Sequence, residues 1–328
     1  MTFFPAVSTL EATRSDLRTR LHTSLHHLVF EAGAGVAPEG LSPARLSDLT
    51  LNADPFPAPV VFAGHAAILK AAQGGDRDGF RAACTTLLDA APQGTAAPEA
   101  LTILPFSPEA LTPAGEALLR AAFLDDVGLM THLDAPPPVL INAARRTLGE
   151  ALDTLHRAAP DWHADLAALV SQILLAVPGA GSTGHFGGAS SFDAFGALIF
   201  NAEALTSPAR ALMSVVHESA HLRMFLYHLD DAVLLNDGEA RYASPLRREP
   251  RPMEGIFHAA WVSARMVAAA RVVCASPLAP DWADDLAQQS EAARKAFDDC
   301  LPVLTEHALF SPFGQTLFTD ARKAMDAD

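Results

Sequence analysis

The chain has 328 residues, half of them apolar, and a formal charge of -15 with a pI near 5.2. This length exceeds that of one ordinary compact domain and predicts one large or two closely packed domains. The acidic balance argues against nucleic-acid binding, which demands clustered Lys and Arg, and disfavours docking on anionic membranes.

The N-terminus, Met1-Thr-Phe-Phe-Pro, has no basic segment followed by an apolar one, so no secretory signal is read there, and no apolar run is read as reaching membrane-spanning length. Cys84, Cys274 and Cys300 are far apart and lack CxxC spacing. Neither a disulfide framework nor a thiolate zinc knot is expected, and a reducing cytoplasm is the natural setting.

In chain order, apolar residues recur at helical spacing from Ser8 to Val29, and Leu41 to Leu51 forms a shorter stretch before the proline cluster at Asp54-Pro-Phe-Pro-Ala-Pro. Residues Ala63 to Ala72, Asp76 to Ala91 and Pro113 to Ala122 predict Ala- and Leu-rich helices between Gly and Pro breaks. The three prolines of His132-Leu-Asp-Ala-Pro-Pro-Pro-Val favour an extended connector. They divide the chain into a helical region, 1–135, and a second domain, 136–328.

In the second domain, Val139 to Ala158 and Asp161 to Ala176 predict helices. A Gly- and Ser-rich stretch, Gly179 to Ser191, leads into Phe195-Gly-Ala-Leu-Ile-Phe-Asn201, which fits a buried strand. Ser207 as cap and Pro208 in the first turn start a helix from Ala209 to Tyr227. Helices over Met253 to Cys274, Asp281 to Glu306 and Pro312 to Met325 complete the chain. The expected fold is mainly α, a helical bundle with one or two short strands beside the metal-binding helix.

The chemistry lies in His217-Glu-Ser-Ala-His221. Imidazoles four positions apart on a helix point from one face and can grip one ion. Random order gives roughly 0.02 such matches in a chain of this composition, so the motif is a signal rather than a coincidence. Met224 and Tyr227 stand where a metzincin needs its Gly and third His, which disfavours that protease class. A third ligand must come from elsewhere: His258 is the strongest candidate, Glu254 on the same helical face its rival, and Glu239 a weaker choice. Glu218 is the general base if the ion is zinc in a gluzincin-like peptidase. Ser190, Ser191 and Asn201 are further cavity candidates, though turn and strand-end roles account for each.

The order of these pieces also carries a resemblance. A Ser/Gly-rich loop, a strand ending near Asn201, the HExxH helix, then Tyr242-x-Ser-Pro-x-Arg247-x-x-Pro-Arg251-Pro followed by Gly255 and His258, is similar to the HExxH-motif proteins of peptide natural-product clusters. It covers approximately Val139 to Met325. It implies a 2-oxoglutarate-dependent non-haem iron enzyme that β-hydroxylates residues of a ribosomally made precursor peptide; the partner expected for this chain is a peptide or carrier-bound amino-acid substrate. On that resemblance His217, His221 and His258 hold Fe(II), Arg247 and Arg251 clasp the distal carboxylate of 2-oxoglutarate, and Glu218 orients a ligand or contacts substrate.

Overall fold

The structure is a computed structural model that describes residues 3–33, 35–91, 101–123, 133–179 and 186–326. The fold is mainly α, 65% helical, with 12 helices and one small sheet of five strands among the described residues. The sheet is larger than the one or two strands expected. The chain forms two compact units: residues 11–145 with 169–204, and residues 1–10 with 146–168 and 205–328. They interleave in sequence, where a single break near 135 was expected; His132 of that expected connector lies outside the described residues.

In the first unit, α1 (Val7–His26) runs into a π-helical turn, His27–Ala32, and α2 (Pro43–Leu49) is capped by Ser42, whose side chain accepts from Arg45 N. Then α3 (Pro59–Gln73) packs on α4 (Arg77–Ala90) and on α6 (Pro113–Ala122), which follows β1 (Thr102–Pro105) and α5 (Pro108–Leu111). Phe56, Phe62 and Phe195 close the core between helix and sheet, with ring centroids 5.6 to 6.1 Å apart.

Three strands are parallel: β1 pairs β3 (Gln172–Pro178), which pairs β5 (Ala197–Asn201). Two short antiparallel strands, β2 (Leu133–Asp134) on β3 and β4 (Gly188–Ser190) on β5, extend them. Residues 172–176 correct the helix expected over Asp161 to Ala176: after α7 (Pro138–Ala158), α8 (Pro160–Leu169) stops, and Ile173-Leu-Leu-Ala176 enters the sheet fully buried. A central parallel strand is covered on both faces, so its residues form a continuous apolar run that simple periodicity cannot tell from a helix. Of the expected Gly/Ser loop, residues 180–185 lie outside the described residues.

The second unit is built around α9 (Pro208–Tyr227) and α10 (Met253–Ala275), followed by α11 (Ala283–His307) and α12 (Pro312–Asp326). Ser207 caps α9 by accepting from Arg210 N at 3.3 Å, with Pro208 in the first turn, as the sequence implies. By length and composition α10 could cross a membrane, contrary to the expectation that no apolar run reaches that length, but 72% of its most apolar window is buried within the protein. It packs against α9, α11 and α12. Of its alanines, Ala260, Ala264 and Ala268 to Ala270 are buried, Ala259 is half-buried and Ala275 is exposed.

The α9–α10 connection is pinned to the α11–α12 junction. Asp231 Oδ1 accepts from Val233 N at 2.6 Å and from Ser311 Oγ at 2.5 Å, and Val233 O accepts from Ser311 N at 3.0 Å. Asn236 donates to His307 O at 2.8 Å and to Tyr242 Oη at 3.0 Å, and accepts from Leu309 N at 2.7 Å. A Cβ on Gly314 would sit 2.0 Å from Val233 O, and Val233 already has φ of 60°. The Gly314→Ala variant is therefore expected to lose roughly 1–3 kcal/mol, because backbone rather than a flexible side chain must move. Urea denaturation checks this, and an unchanged midpoint contradicts the packing described.

Candidate metal centre

His217 and His221 project from one face of α9, with ring centroids 5.1 Å apart and planes at 66°. His258, on the first turns of α10, lies with its centroid 5.7 Å from that of His221. Two imidazoles that share one ion at about 2.1 Å place their centroids roughly 5 Å apart, close to both of these spacings. The helices are antiparallel here, since His217 Nδ1 lies 3.4 Å from Met266 Sδ whereas His228 meets Glu254. His221 thus neighbours both His217 and His258, while His258 brings its donor atom within 4.8 Å of His228 and Glu254.

Desolvation controls their charge. Burial lowers the pKa of His258 to about 3, helped by the nearby imidazole of His228 and the Arg251 cation. It lowers His217 to about 4 and takes His221 well below its ordinary value, the latter pushed down further by His217, His258 and Arg251. The His217 side chain is 42% exposed and that of His258 only 14%, so His258 carries the argument more firmly. Neutral imidazoles keep a lone pair for a metal at neutral pH. All-nitrogen donors suit Fe, Co, Ni, Cu or Zn rather than Mg or Ca.

The same shift links to stability. Folded His258 takes up a proton only near pH 3, whereas in the unfolded chain it does so near its ordinary 6.5. The unfolded state therefore binds more protons in between, and the metal-free protein is expected to lose stability as pH falls from about 6.5 toward 4. Denaturation midpoints at pH 7 and pH 5 test this. A His258→Gln variant with the same slope contradicts it.

Arg251 is brought to the centre and Arg247 is not. Arg251 bridges backbone-to-backbone with Tyr242, N to O at 2.9 Å in both directions, and its guanidinium lies over Gly255, where a Cβ would stand 3.4 Å from Nε. Burial lowers its pKa, as does the charge of Arg247, while Cys300 opposes the shift. Arg247 is exposed in the loop. Glu239 is also exposed, 3.9 Å from Arg241, and takes no place among the imidazoles. Glu218 is buried, its Oε1 4.0 Å from His217 Nε2.

Ser190, Ser191 and Asn201 belong to the other compact unit. Ser191 caps a 3-10 turn, Phe192–Ala194, and Asn201 accepts from Glu203 N at 3.0 Å in its own turn while donating at 3.0 Å to Phe186 O, fifteen residues earlier. These contacts serve the turns and the sheet end.

The sequence reading missed His228. It lies seven residues beyond His221, one past the position where a metzincin would place its ligand, and keeps helical backbone angles as the cap of α9. Spacing of seven returns to the same helical face, and that was the available signal. Its ring centroid is 5.6 Å from that of His258.

Behind the imidazoles lies a buried ionic brace. Asp165 on α8 accepts from Arg223 of α9 and, at 2.6 Å, from Arg265 of α10. Arg223 Nε also donates to Tyr227 Oη at 2.7 Å, and Arg265 donates to Phe3 O while its guanidinium lies 4.6 Å from the Trp162 ring centroid. One carboxylate thereby ties together the two helices that carry the histidines.

No protein-family model matches this chain, and no curated protein matches it.

Proposed function

We propose that the chain is an Fe(II)- and 2-oxoglutarate-dependent oxygenase that hydroxylates, at Cβ, a residue of a peptide or carrier-bound substrate. The observation that carries this reading is the contiguous row of neutral imidazoles, His217, His221 and His258, beside the half-buried Arg251 cation. The substrate class comes from the sequence resemblance. In the balanced reaction, 2-oxoglutarate, O2 and a substrate C–H give succinate, CO2 and a C–OH, and the bound iron supplies the redox chemistry.

The residues bind and orient. Three protein donors leave positions for a bidentate cosubstrate and for O2. Arg251, a planar guanidinium with parallel N–H groups, is suited to a carboxylate through two hydrogen bonds. Glu218, buried with its Oε1 4.0 Å from His217 Nε2, places a carboxylate beside that ligand. Desolvation keeps the imidazoles unprotonated and so able to serve as ligands.

Protein reconstituted anaerobically with Fe(II) is expected to release succinate from 2-oxoglutarate on admission of O2, and Arg251→Ala to raise the KM for 2-oxoglutarate more than it lowers kcat. Metal-dependent peptide cleavage without oxygen contradicts the proposal. That outcome belongs to a second reading, a zinc peptidase with Glu218 as general base, which the burial of Glu218 beside His217 favours. Glu218→Gln separates the two, being expected to abolish peptidase activity while leaving succinate release within roughly tenfold.

A further inference from the structure

His228, Glu254 and His258 bring their donor atoms within 4.8 Å of one another. The separations are specific: His228 Nε2 to His258 Nε2 is 3.4 Å, and Glu254 Oε1 lies 3.7 Å from His228 Nε2 and 3.9 Å from His258 Nε2. The two carboxylate distances are too long for hydrogen bonds, and the nitrogen pair is longer than an ordinary one. A triangle with these sides has a point about 2.1 Å from every corner, which is the length of a transition-metal bond to imidazole nitrogen or carboxylate oxygen.

We propose that His228, Glu254 and His258 form a divalent transition-metal site of their own next to the HExxH pair, an alternative to ligation of His258 by an ion held there, since a neutral imidazole has one lone pair to give. Two imidazoles and one carboxylate on one side of an ion leave the remaining positions open, the donor set that suits Fe(II), Co(II) or Zn(II). Glu254 supplies a balancing negative charge, and Asp231 adds further negative potential at His228. Arg251 is the opposing charge, acting on His258. The site goes beyond the oxygenase reading and requires neither 2-oxoglutarate nor O2.

The test is Co(II) binding to the metal-free full chain, followed by equilibrium dialysis and by the visible absorption of the bound ion. The His217→Ala/His221→Ala double variant removes the HExxH pair and is expected to keep one Co(II). Adding Glu254→Gln or His228→Gln to it is expected to weaken that ion by roughly 100-fold or more, since losing a direct ligand costs more than losing a residue that only orients one. Glu254 is largely exposed, so its replacement leaves the fold intact, which circular dichroism checks. The proposal is overturned if the folded double variant takes up no Co(II), or if neither added substitution alters its binding. Succinate release by the Glu254→Gln single variant distinguishes this from failure of the oxygenase reading, because the HExxH pair and Arg251 remain in place.

Discussion

The His221→Ala variant is expected to reduce metal-dependent turnover to background and to weaken metal binding at the HExxH pair by more than roughly 100-fold. His221 is the middle imidazole of the row, with His217 at 5.1 Å on one side and His258 at 5.7 Å on the other. Its removal leaves those two without a common neighbour, whereas removing either end leaves an adjacent pair. The fold is expected to survive, because the helix is held by Leu212, Val215, Val216 and Leu222, all buried on other faces. Dialysis against iron or cobalt, with circular dichroism as control, reads both effects. Binding within threefold of the parent would mean that the ion is held elsewhere.

The second large effect is at Asp165. Arg223 and Arg265 are almost completely buried, and both donate to this one carboxylate. The Asp165→Ala variant removes the carboxylate to which both buried guanidinium groups donate, a loss expected to cost roughly 3–5 kcal/mol. In a protein of this size the melting temperature should fall on the order of 10 °C. The combined Asp165→Leu/Arg223→Met/Arg265→Met variant is expected to recover much of that loss, because desolvating a buried ion pair offsets most of its Coulombic gain. Thermal denaturation measures both. A single variant as stable as the parent would show that the brace contributes little. Because Arg223 and Arg265 sit on the helices that carry the histidines, weaker metal binding should accompany the lower stability.

Much of this architecture was legible in the sequence where local chemistry decides it. Ser207 and Pro208 mark the start of α9, Pro113 starts α6, and the HExxH spacing marks one helical face, because caps, proline geometry and a 3.6-residue period act over a few residues. The strand at 172–178 was not legible, since a strand covered on both faces loses the alternation that identifies it. Nor was β1, a four-residue strand ending in Pro105 that forms only on pairing with β3, some seventy residues away. The brace was equally hidden, as Asp165 meets Arg223 and Arg265 at separations of 58 and 100 residues. His228 differs from these. Its place on the α9 stripe could be read from spacing alone, but its partnership with Glu254 and His258 required the two helices to be packed together.

The packing also separates the two loop arginines. Both belong to the same Pro-rich segment, and composition treats them alike. The backbone pairing of Tyr242 with Arg251 and the close seat over Gly255 fix one of them next to the imidazoles, while Arg247 stays exposed. Tyr242 is itself held by Asn236, which also bonds to His307 O and Leu309 N. The α11–α12 junction therefore positions Arg251 through a chain of hydrogen bonds rather than by direct contact.

The most direct test of the central claim is anomalous diffraction at the iron edge from crystals grown anaerobically with Fe(II). An anomalous peak is expected within bonding distance of Nε2 or Nδ1 of His217 and His221. Full iron occupancy elsewhere, with both of these imidazoles bare, would contradict it.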